Sequence, residues 1–337
     1  MTTKQPFLAA PFIKEIGRGV KGARSMNRDD ARALWAAVLD GRVSDLELGG
    51  ILLSMRIKGE SVDELEGFLE ASEASFQKLR APAGEYVPVV IPTYNGARKM
   101  ANLTPLLAML LAREGVPVLV HGVAHDVGRV ATAEVFEALG VHAVGSHAEA
   151  EAAMASGQPA FITIDVLAPR LAWMLSLRRV LGVRNSTHTL VKIMQPMEGP
   201  ALRLVSYTHP EYLESLGEFF TLNKGHAFLM RGTEGETVAN ANKAQKIDWF
   251  HDGERTVLVE RQMEADELPH LPEDKSAEAT AAWIQAVLRG EIPVPAPIAQ
   301  QAAHCRDVAQ QMSILGRYGD PAGRKVDIPG GNVHFSS

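Results

Sequence analysis

Val89–Lys99 reads VVIPTYNGARK, and this segment decides the fold class of the chain. A short β-branched run is followed by a turn with a proline and a glycine, and then by two basic residues. The loop after a buried strand is where α/β proteins bind their ligands, so the segment predicts a binding loop at a strand end. Phosphate-binding loops contain several glycines, whereas this one has only Gly96. The segment is therefore a damaged phosphate loop, a rebuilt one, or only a turn.

Strand and helix patterns alternate around and after this segment. The predicted strands are Tyr86–Ile91, Pro117–His121, Ala160–Ile164, Ala201–Tyr207 and His226–Arg231. The predicted helices between them are Leu103–Arg113, Thr132–Leu139, Leu171–Leu181 and Glu211–Leu222. This alternation predicts an α/β fold with a mostly parallel sheet domain flanked by helices. A hairpin is predicted around Asp252 and Gly253, followed by helices at Ser276–Leu288 and Pro297–Leu315.

The N-terminal part has a helical pattern instead. Apolar residues recur at helical spacing in Asp29–Leu39, Ser44–Arg56 and Ser61–Leu79, and the last two segments open with a Ser and a Glu three residues apart, as in a capping box. We expect a small all-helical domain at residues 1–80 and an α/β domain at residues 81–337. Helices from about residues 165–195 are candidates to join the helical domain.

Composition limits the classes of function. The chain has 337 residues, of which 46% are hydrophobic, which suits two structural units. Its net charge of −6 excludes a uniformly basic nucleic-acid binder, although residues 90–192 hold 9 Lys and Arg against 7 Asp and Glu. One cysteine, Cys305, allows no disulfide within the chain. There is no secretory signal pattern and no apolar run of the ~20 residues that a membrane span needs, so we expect a cytoplasmic protein.

Several segments resemble a known family. They are, in order, MRIKGES at 55–61, AEVFEALG at 133–140, LRRVLGVR at 177–184 and GHAFLMRGTEG at 225–235. Together they resemble the anthranilate phosphoribosyltransferases of glycosyltransferase family 3, over roughly residues 10–315. The resemblance implies the nucleoside phosphorylase and phosphoribosyltransferase architecture, with a small helical domain before the α/β domain. It also implies a homodimer through the helical domain, for which Leu48, Ile51, Leu52 and Met55 are either contact residues or internal packing.

The motifs that bind substrate in this family are altered here. Its G-T-G-G-D-G loop, which holds phosphoribosyl diphosphate, falls on residues 92–97 and matches only at Thr93. Its N-[IV]-S-T motif falls on residues 102–105, and its K-H-G-N-R motif on residues 120–124 without the Lys and Arg. The degenerate substrate-loop positions are Thr93, Tyr94, Asn95, Gly96, Asn102, Thr104, His121 and Gly122. Pro92 removes one backbone donor, and Tyr94 adds bulk where an anion needs bare backbone.

The family's paired Asp and Glu, which hold Mg²⁺, fall on Thr237 and Val238. A valine offers no oxygen to Mg²⁺, and the neighbouring Glu234 and Glu236 are the available substitutes. We therefore predict no metal site, no cofactor, no catalytic residue and no anthranilate transferase activity. The alternative is a glycosyltransferase or phosphoribosyltransferase with a different acceptor, using Mg²⁺ with phosphoribosyl diphosphate. A third possibility is a dimeric scaffold with a vestigial cleft.

PTYNGARK, NLTPLLA, VHGV and RNSTHTLVK are similar to the YbiB-type, TrpD-like branch of the family. That resemblance implies a dimer that binds DNA or RNA with low sequence specificity. Such binding needs Lys and Arg along a groove. The candidate phosphate-binding residues are Arg98, Lys99, Arg129, Arg178, Arg179, Arg184, Lys192, Arg231, Lys243 and Lys246.

Each of these candidates has a plainer interpretation. Arg178 and Arg179, or Lys243 and Lys246, are equally typical of a solvated helix face. Tyr94, His121 and His188 are candidates for stacking on bases, whereas His121 after a buried strand also fits a hydrogen-bonded core histidine.

Overall fold

The computed structural model describes residues 5–262 and 270–318. Its N-terminal helices are α1 (Ala10–Ile16), α2 (Arg28–Leu39), α3 (Asp45–Lys58) and α4 (Val62–Glu73). The predicted capping boxes are present at the starts of α3 and α4. Helices α2 and α4 pack through Trp35 and Phe68, whose rings stack with centroids 4.5 Å apart. The indole Nε1 of Trp35 donates to Ser72 Oγ at 3.0 Å, which satisfies both buried groups.

Helix α4 ends at Glu73, six residues before the predicted end at Leu79. The chain turns there because Leu79 pairs with the segment near Met197, donating its N–H to the Pro196 carbonyl at 2.9 Å. This pairing joins the end of the helical region to the segment around Met197.

Seven strands form one sheet. They are β1 (Val89–Thr93), β2 (Val118–Gly122), β3 (Ala160–Thr163), β4 (Leu202–Tyr207), β5 (Ala227–Arg231), β6 (Ile247–His251) and β7 (Glu254–Val259). The order across the sheet is β3-β2-β1-β4-β5-β6-β7, with β1 to β5 parallel and the hairpin of β6 and β7 antiparallel. The predicted α/β class, mostly parallel sheet and hairpin are confirmed.

The order reverses between β1 and β4, which is the switch point where α/β sheets bind ligands. β1 begins at Val89 rather than at Tyr86 and continues to Thr93. It pairs with β2 along its whole length but with β4 only at Val89 and Val90. The two strands therefore separate before Pro92, whose missing N–H fits the loss of pairing at this point.

The later helices are α5 (Thr104–Arg113), α6 (Thr132–Ala138), α7 (His147–Ala155), α8 (Ile164–Leu167), α9 (Pro169–Ser176), α10 (Arg178–Leu181), α11 (Thr187–Ile193), α12 (Glu211–Leu222), α13 (Ala277–Leu288) and α14 (Ala296–Tyr318). The predicted helix Leu171–Leu181 is two helices, α9 and α10, which meet at Leu177. Helices α1, α7, α8 and α11 were not predicted. Within the described residues, no helix is both long and apolar enough to cross a membrane.

Two apolar clusters cover the two faces of the sheet. The cluster on one face continues into the helical region, so that α9 and α11 share a core with α2, α3 and α4. Leu48, Ile51, Leu52 and Met55 lie inside this cluster and are at most 7% exposed. These four side chains therefore pack inside the helical region, as the interpretation of internal packing expects.

Candidate functional site

A cleft opens at the switch point, between the carboxyl ends of β1 and β4 and the helical region. It contains an inner chamber of about 190 Å³, lined by α11, by the end of β4 with the chain that follows it, and by Met55, Arg56, Gly59 and Glu60. An outer chamber of about 580 Å³ lies between the loop after β1 and helices α9 and α10. Arg184, His188 and Lys192 line both chambers and form their common wall.

Five cationic side chains face this cleft. They are Arg56, Arg178, Arg179, Arg184 and Lys192. Within the described part of the chain, no carboxylate lies in ion-pair range of any of them. Burial, together with the positive charges of Arg178 and Arg129, lowers the pKa of Arg184. The cations therefore repel one another, and an anion in the cleft would relieve that repulsion.

Burial also governs the two other titratable groups of the common wall. It lowers the pKa of Lys192 to about 8, although the nearby Glu236 carboxylate acts in the opposite direction. It lowers the pKa of His188 to about 4, with a further contribution from the charge of Arg184. At neutral pH His188 is therefore an uncharged donor and acceptor, while Lys192 carries its charge but loses it in mildly alkaline solution.

The loop after β1 presents backbone N–H groups to two carboxylates of this same chain. Glu236 accepts from the N–H groups of Asn95 and Gly96 at 2.8 and 2.6 Å. Glu234 accepts from those of Arg98, Lys99 and Met100 at 3.2, 2.8 and 2.8 Å. The loop is thus an anion-binding loop, and its anions are internal.

Further contacts fix this arrangement. Asn95 Nδ2 donates to the Gly235 carbonyl at 2.7 Å, and Ser206 Oγ donates to the same oxygen at 2.8 Å. Arg129 Nη1 reaches the carbonyls of Gly96 and Glu234 at 3.3 and 3.5 Å. The connection after β5 is consequently bonded to the loops after β1 and β2 and to the end of β4. This explains why Arg129, predicted to bind phosphate, faces the protein instead.

Glu234 and Glu236 therefore do not replace the family's Mg²⁺ ligands. The carboxylate of Glu234 and Oε1 of Glu236 accept from backbone N–H groups, whereas Oε2 of Glu236 is buried and has no hydrogen-bond partner among the described residues. Thr237 and Val238, at the positions of the paired carboxylates, are 1% and 2% exposed. Within residues 5–262 and 270–318, no three His, Cys, Asp or Glu side chains are grouped as a metal site. The residues present do not fit Mg²⁺ with a diphosphate, because the donors that would hold the diphosphate already have acceptors.

The remaining predicted cations lie outside the two chambers. Arg98 and Lys99 are exposed on the loop after β1 but line neither chamber. Lys246 pairs with Asp248, its Nζ 3.5 Å from the carboxylate. Arg231 is exposed at the end of β5, and Lys243 is half-buried in the connection that follows. Of the ten candidate phosphate-binding residues, Arg178, Arg179, Arg184 and Lys192 line the chambers, whereas these five and Arg129 do not.

The degenerate substrate-loop positions have structural contacts. The Thr93 and Thr132 hydroxyls lie 2.6 Å apart, and Asn102 Nδ2 donates to the Thr132 hydroxyl at 3.0 Å. Asn102 Oδ1 accepts from the Thr104 N–H at 3.2 Å, at the start of α5. Gly122 packs so closely against Thr93 that a Cβ added to Gly122 would lie 1.8 Å from the Thr93 carbonyl oxygen. These positions hold the loops after β1 and β2 together.

His121 is a core histidine rather than a stacking residue. It is 1% exposed, its Nδ1 lies 2.8 Å from the Tyr94 hydroxyl, and burial lowers its pKa to about 3. Tyr94 is half-buried and lines the outer chamber. The sequence reasoning missed the inner chamber, which adds Arg56, Tyr207 and Tyr212 to the site. Only Arg56 had a signal, because it belongs to the MRIKGES segment that resembles the family.

The fold, the switch-point cleft and the altered loop define an anthranilate phosphoribosyltransferase-like protein, and the chain belongs to glycosyltransferase family 3 in its YbiB-type branch. Residues 10–75 match the family model for the glycosyl transferase family helical bundle domain. The chain is 48% identical over 296 residues to the uncharacterized protein YbiB of Escherichia coli strain K12, covering 87% of this chain and 92% of that protein.

More distant relatives are named as enzymes. The anthranilate phosphoribosyltransferase of Beijerinckia indica is 28% identical over 244 residues, which is 72% of this chain and 69% of the relative. The crystal structure of the anthranilate phosphoribosyltransferase of Thermus thermophilus superposes with a TM-score of 0.68 at 21% identity, covering 90% of this chain and 93% of that one. At this identity the structural likeness establishes the fold alone.

Proposed function

We propose that the protein binds DNA or RNA with low sequence specificity through the cleft, without anthranilate transferase activity. The observation that carries this proposal is the set of five cations, Arg56, Arg178, Arg179, Arg184 and Lys192, that line the cleft without carboxylate partners among the described residues. Cations without partners on a concave surface are the electrostatic footprint of a phosphate backbone. The negative charge of the whole chain does not oppose this, because a cleft focuses its local field.

The filled loop favours a polymer over a diphosphate. A phosphoribosyl diphosphate would need the N–H groups of Asn95, Gly96, Lys99 and their neighbours, which already donate to Glu234 and Glu236. A nucleic-acid backbone needs only side-chain cations spaced along a groove, and those are available. These contacts support binding in preference to the alternative of a transferase with a different acceptor.

The helical region supports the proposal of a homodimer, although through other residues than those predicted. On α3, the side chains of Leu46, Leu53 and Ile57 are 88%, 41% and 63% exposed. They recur at helical spacing and so form one stripe on the outer face of the helix. We propose that this stripe contacts a second copy, since a helix face of this kind is stabilised when an apolar partner covers it.

A fluorescence anisotropy titration with a labelled single strand of about 12 nucleotides tests the function. Five cations that each neutralise one phosphate predict that log K falls with log salt at a slope of about −3.5. The variant carrying Arg178→Gln, Arg184→Gln and Lys192→Gln should bind more than tenfold more weakly, and its slope should fall in magnitude by about 2. Absence of binding to the unmodified protein at low salt would refute the proposal.

The matched control has the same change in charge at other surfaces. It carries Arg80→Gln, Arg289→Gln and Arg306→Gln, whose side chains pair with Glu151, Glu291 and Glu114 outside the cleft. Its affinity should fall much less than that of the cleft variant. Equal losses in the two variants would assign the binding to net charge rather than to the cleft.

A further inference from the structure

A shallow groove lies at the opposite end of the strands from the cleft. It has a volume of about 590 Å³ and is lined by residues 81–88, by Glu198 and Pro200, and by Ser313 of α14. Pro88 and Pro200 come shortly before β1 and β4, so the groove lies at the amino ends of these strands. The cleft lies at their carboxyl ends, and the groove is therefore a separate surface.

Backbone hydrogen bonds hold the wall of this groove in place. The Val87 N–H donates to the Ala309 carbonyl of α14 at 3.1 Å, and the Leu202 N–H of β4 donates to the Pro88 carbonyl at 2.9 Å. The wall is thus fixed to α14 on one side and to the sheet on the other. A segment that binds there does not have to order the wall first, which lowers the cost of binding.

The surface of the groove combines apolar groups with two carboxylates. Glu85 and Glu198 are exposed, and neither carboxylate has an ion-pair or hydrogen-bond partner among residues 5–262 and 270–318. Ile314 and Leu315, which follow Ser313 on α14, are 52% and 40% exposed. An occupant that suits this surface carries positive charge next to apolar side chains.

The chain itself contains such a segment nearby. Nineteen residues, 319–337, follow the end of α14 in the sequence, and residues 324–329 read RKVDIP. Arg324 and Lys325 form a basic pair, and the apolar residues Val326 and Ile328 come directly after it. The charge of the pair is opposite to that of the groove, and the residues that follow match its apolar character.

The length of chain is also sufficient. Ser313 lies five residues before Tyr318 at the end of α14, a distance of about 8 Å along a helix. The six residues 319–324 span up to about 20 Å when extended. The basic pair can therefore turn back to the groove at Ser313 without any change in the described fold.

We propose that residues 324–329 of this chain bind in the groove. Arg324 and Lys325 lie beside its two carboxylates, and Val326 and Ile328 cover its apolar surface. The bound segment joins the end of α14 to the amino ends of β1 and β4. This contact is independent of ligand binding in the cleft.

An endoproteinase that cleaves only after lysine tests the proposal on the full chain, because Lys325 must leave the groove before it is cut. Cleavage at Lys325, followed by mass spectrometry, should be at least about tenfold slower than in a free peptide of residues 319–337. The double variant Glu85→Gln, Glu198→Gln removes two surface ion pairs while keeping the shape of the groove. It should speed cleavage by about twofold to thirtyfold, since cleavage follows the population of the released segment.

The matched control carries Glu218→Gln and Glu278→Gln, two exposed carboxylates on α12 and α13 outside the groove. It should be cut at the rate of the unmodified protein. Cleavage of the unmodified protein as fast as that of the peptide, or equal acceleration in the two double variants, would overturn the proposal. Protection that disappears on dilution would assign the groove to the same segment of a second copy and would overturn it as well.

Discussion

The carboxylate of Glu236 and the backbone N–H of Gly96 are joined by a 2.6 Å hydrogen bond between the connection after β5 and the loop after β1. Glu236 is 1% exposed, and burial raises its pKa even though the N–H groups of Asn95 and Gly96 favour the charged form. A buried carboxylate is costly without partners, so these donors and the nearby charge of Lys192 are what retain it there.

Replacing Glu236 tests how much this contact stabilises the protein. Glu236→Ala leaves two buried N–H groups without an acceptor, which should lower the free energy of unfolding by about 2–4 kcal/mol. Glu236→Gln keeps an acceptor oxygen and should cost much less. Chemical denaturation followed by circular dichroism measures both, with the exposed Glu291→Ala as the control. Equal stability of Glu236→Ala and the unmodified protein would contradict the arrangement.

Gly235 is predicted to be required between the two acidic residues. Its φ is +96°, and an added Cβ would lie 1.8 Å from Asn95 Nδ2. Gly199 is a matched control, because its φ is +78° but an added Cβ there has no heavy atom within 4 Å. Gly199→Ala should cost about 1–2 kcal/mol of stability through backbone strain alone. Gly235→Ala should cost at least about 1 kcal/mol more, because the Asn95 amide must move and break its bond. Similar melting temperatures for the two variants would be evidence against the contact.

The affinity for nucleic acid should depend on pH through Lys192. Burial lowers its pKa to about 8, so the side chain is charged below that pH and becomes neutral above it. Affinity for a single strand should therefore fall between pH 7 and pH 9 by up to the contribution of one phosphate contact. Lys192→Arg keeps its charge throughout this range and should bind equally at both values. A pH dependence that persists in Lys192→Arg would assign it to another group. Anisotropy titrations at fixed ionic strength give both comparisons.

The exposed stripe on α3 predicts a dimer that a single charge disrupts. Leu53→Asp places a carboxylate within the stripe and should shift the protein from dimer to monomer in sedimentation velocity. Leu222→Asp is the control, since Leu222 is 60% exposed at the end of α12, outside the helical region. A monomeric unmodified protein, or a dimer unaffected by Leu53→Asp, would show that this face has no such role.

The sequence predicted the elements whose causes are local. The capping boxes at Ser44 and Ser61 mark the starts of α3 and α4, and the bounds of α12 match the prediction. The break at Leu177 was missed because the apolar period continues from α9 into α10. Helix α11 was missed because THTLVKI is rich in β-branched residues that disfavour isolated helices.

The site was harder to predict than the fold, because its decisive contacts join distant parts of the chain. Glu236 meets Asn95 across 141 positions, and no local pattern indicates that pairing. The sequence identified the loop and the loss of its glycines, but it offered Glu234 and Glu236 only as substitutes for the lost metal ligands and gave no sign that they bind the loop. Arg98 and Lys99 follow the loop in sequence and yet line neither chamber, and it is their backbone N–H groups that make the contact with Glu234.

Glu234 shows what the internal carboxylates mean for the free energy of this fold. It adopts a left-handed φ of +53°, a conformation that disfavours a non-glycine residue, and three backbone N–H groups bind its carboxylate there. A protein whose loop awaits a soluble anion gains stability as that anion accumulates. Here the stabilising anion is part of the polypeptide and is present at constant, saturating effective concentration. The conformation of this loop therefore does not depend on the supply of a soluble anion.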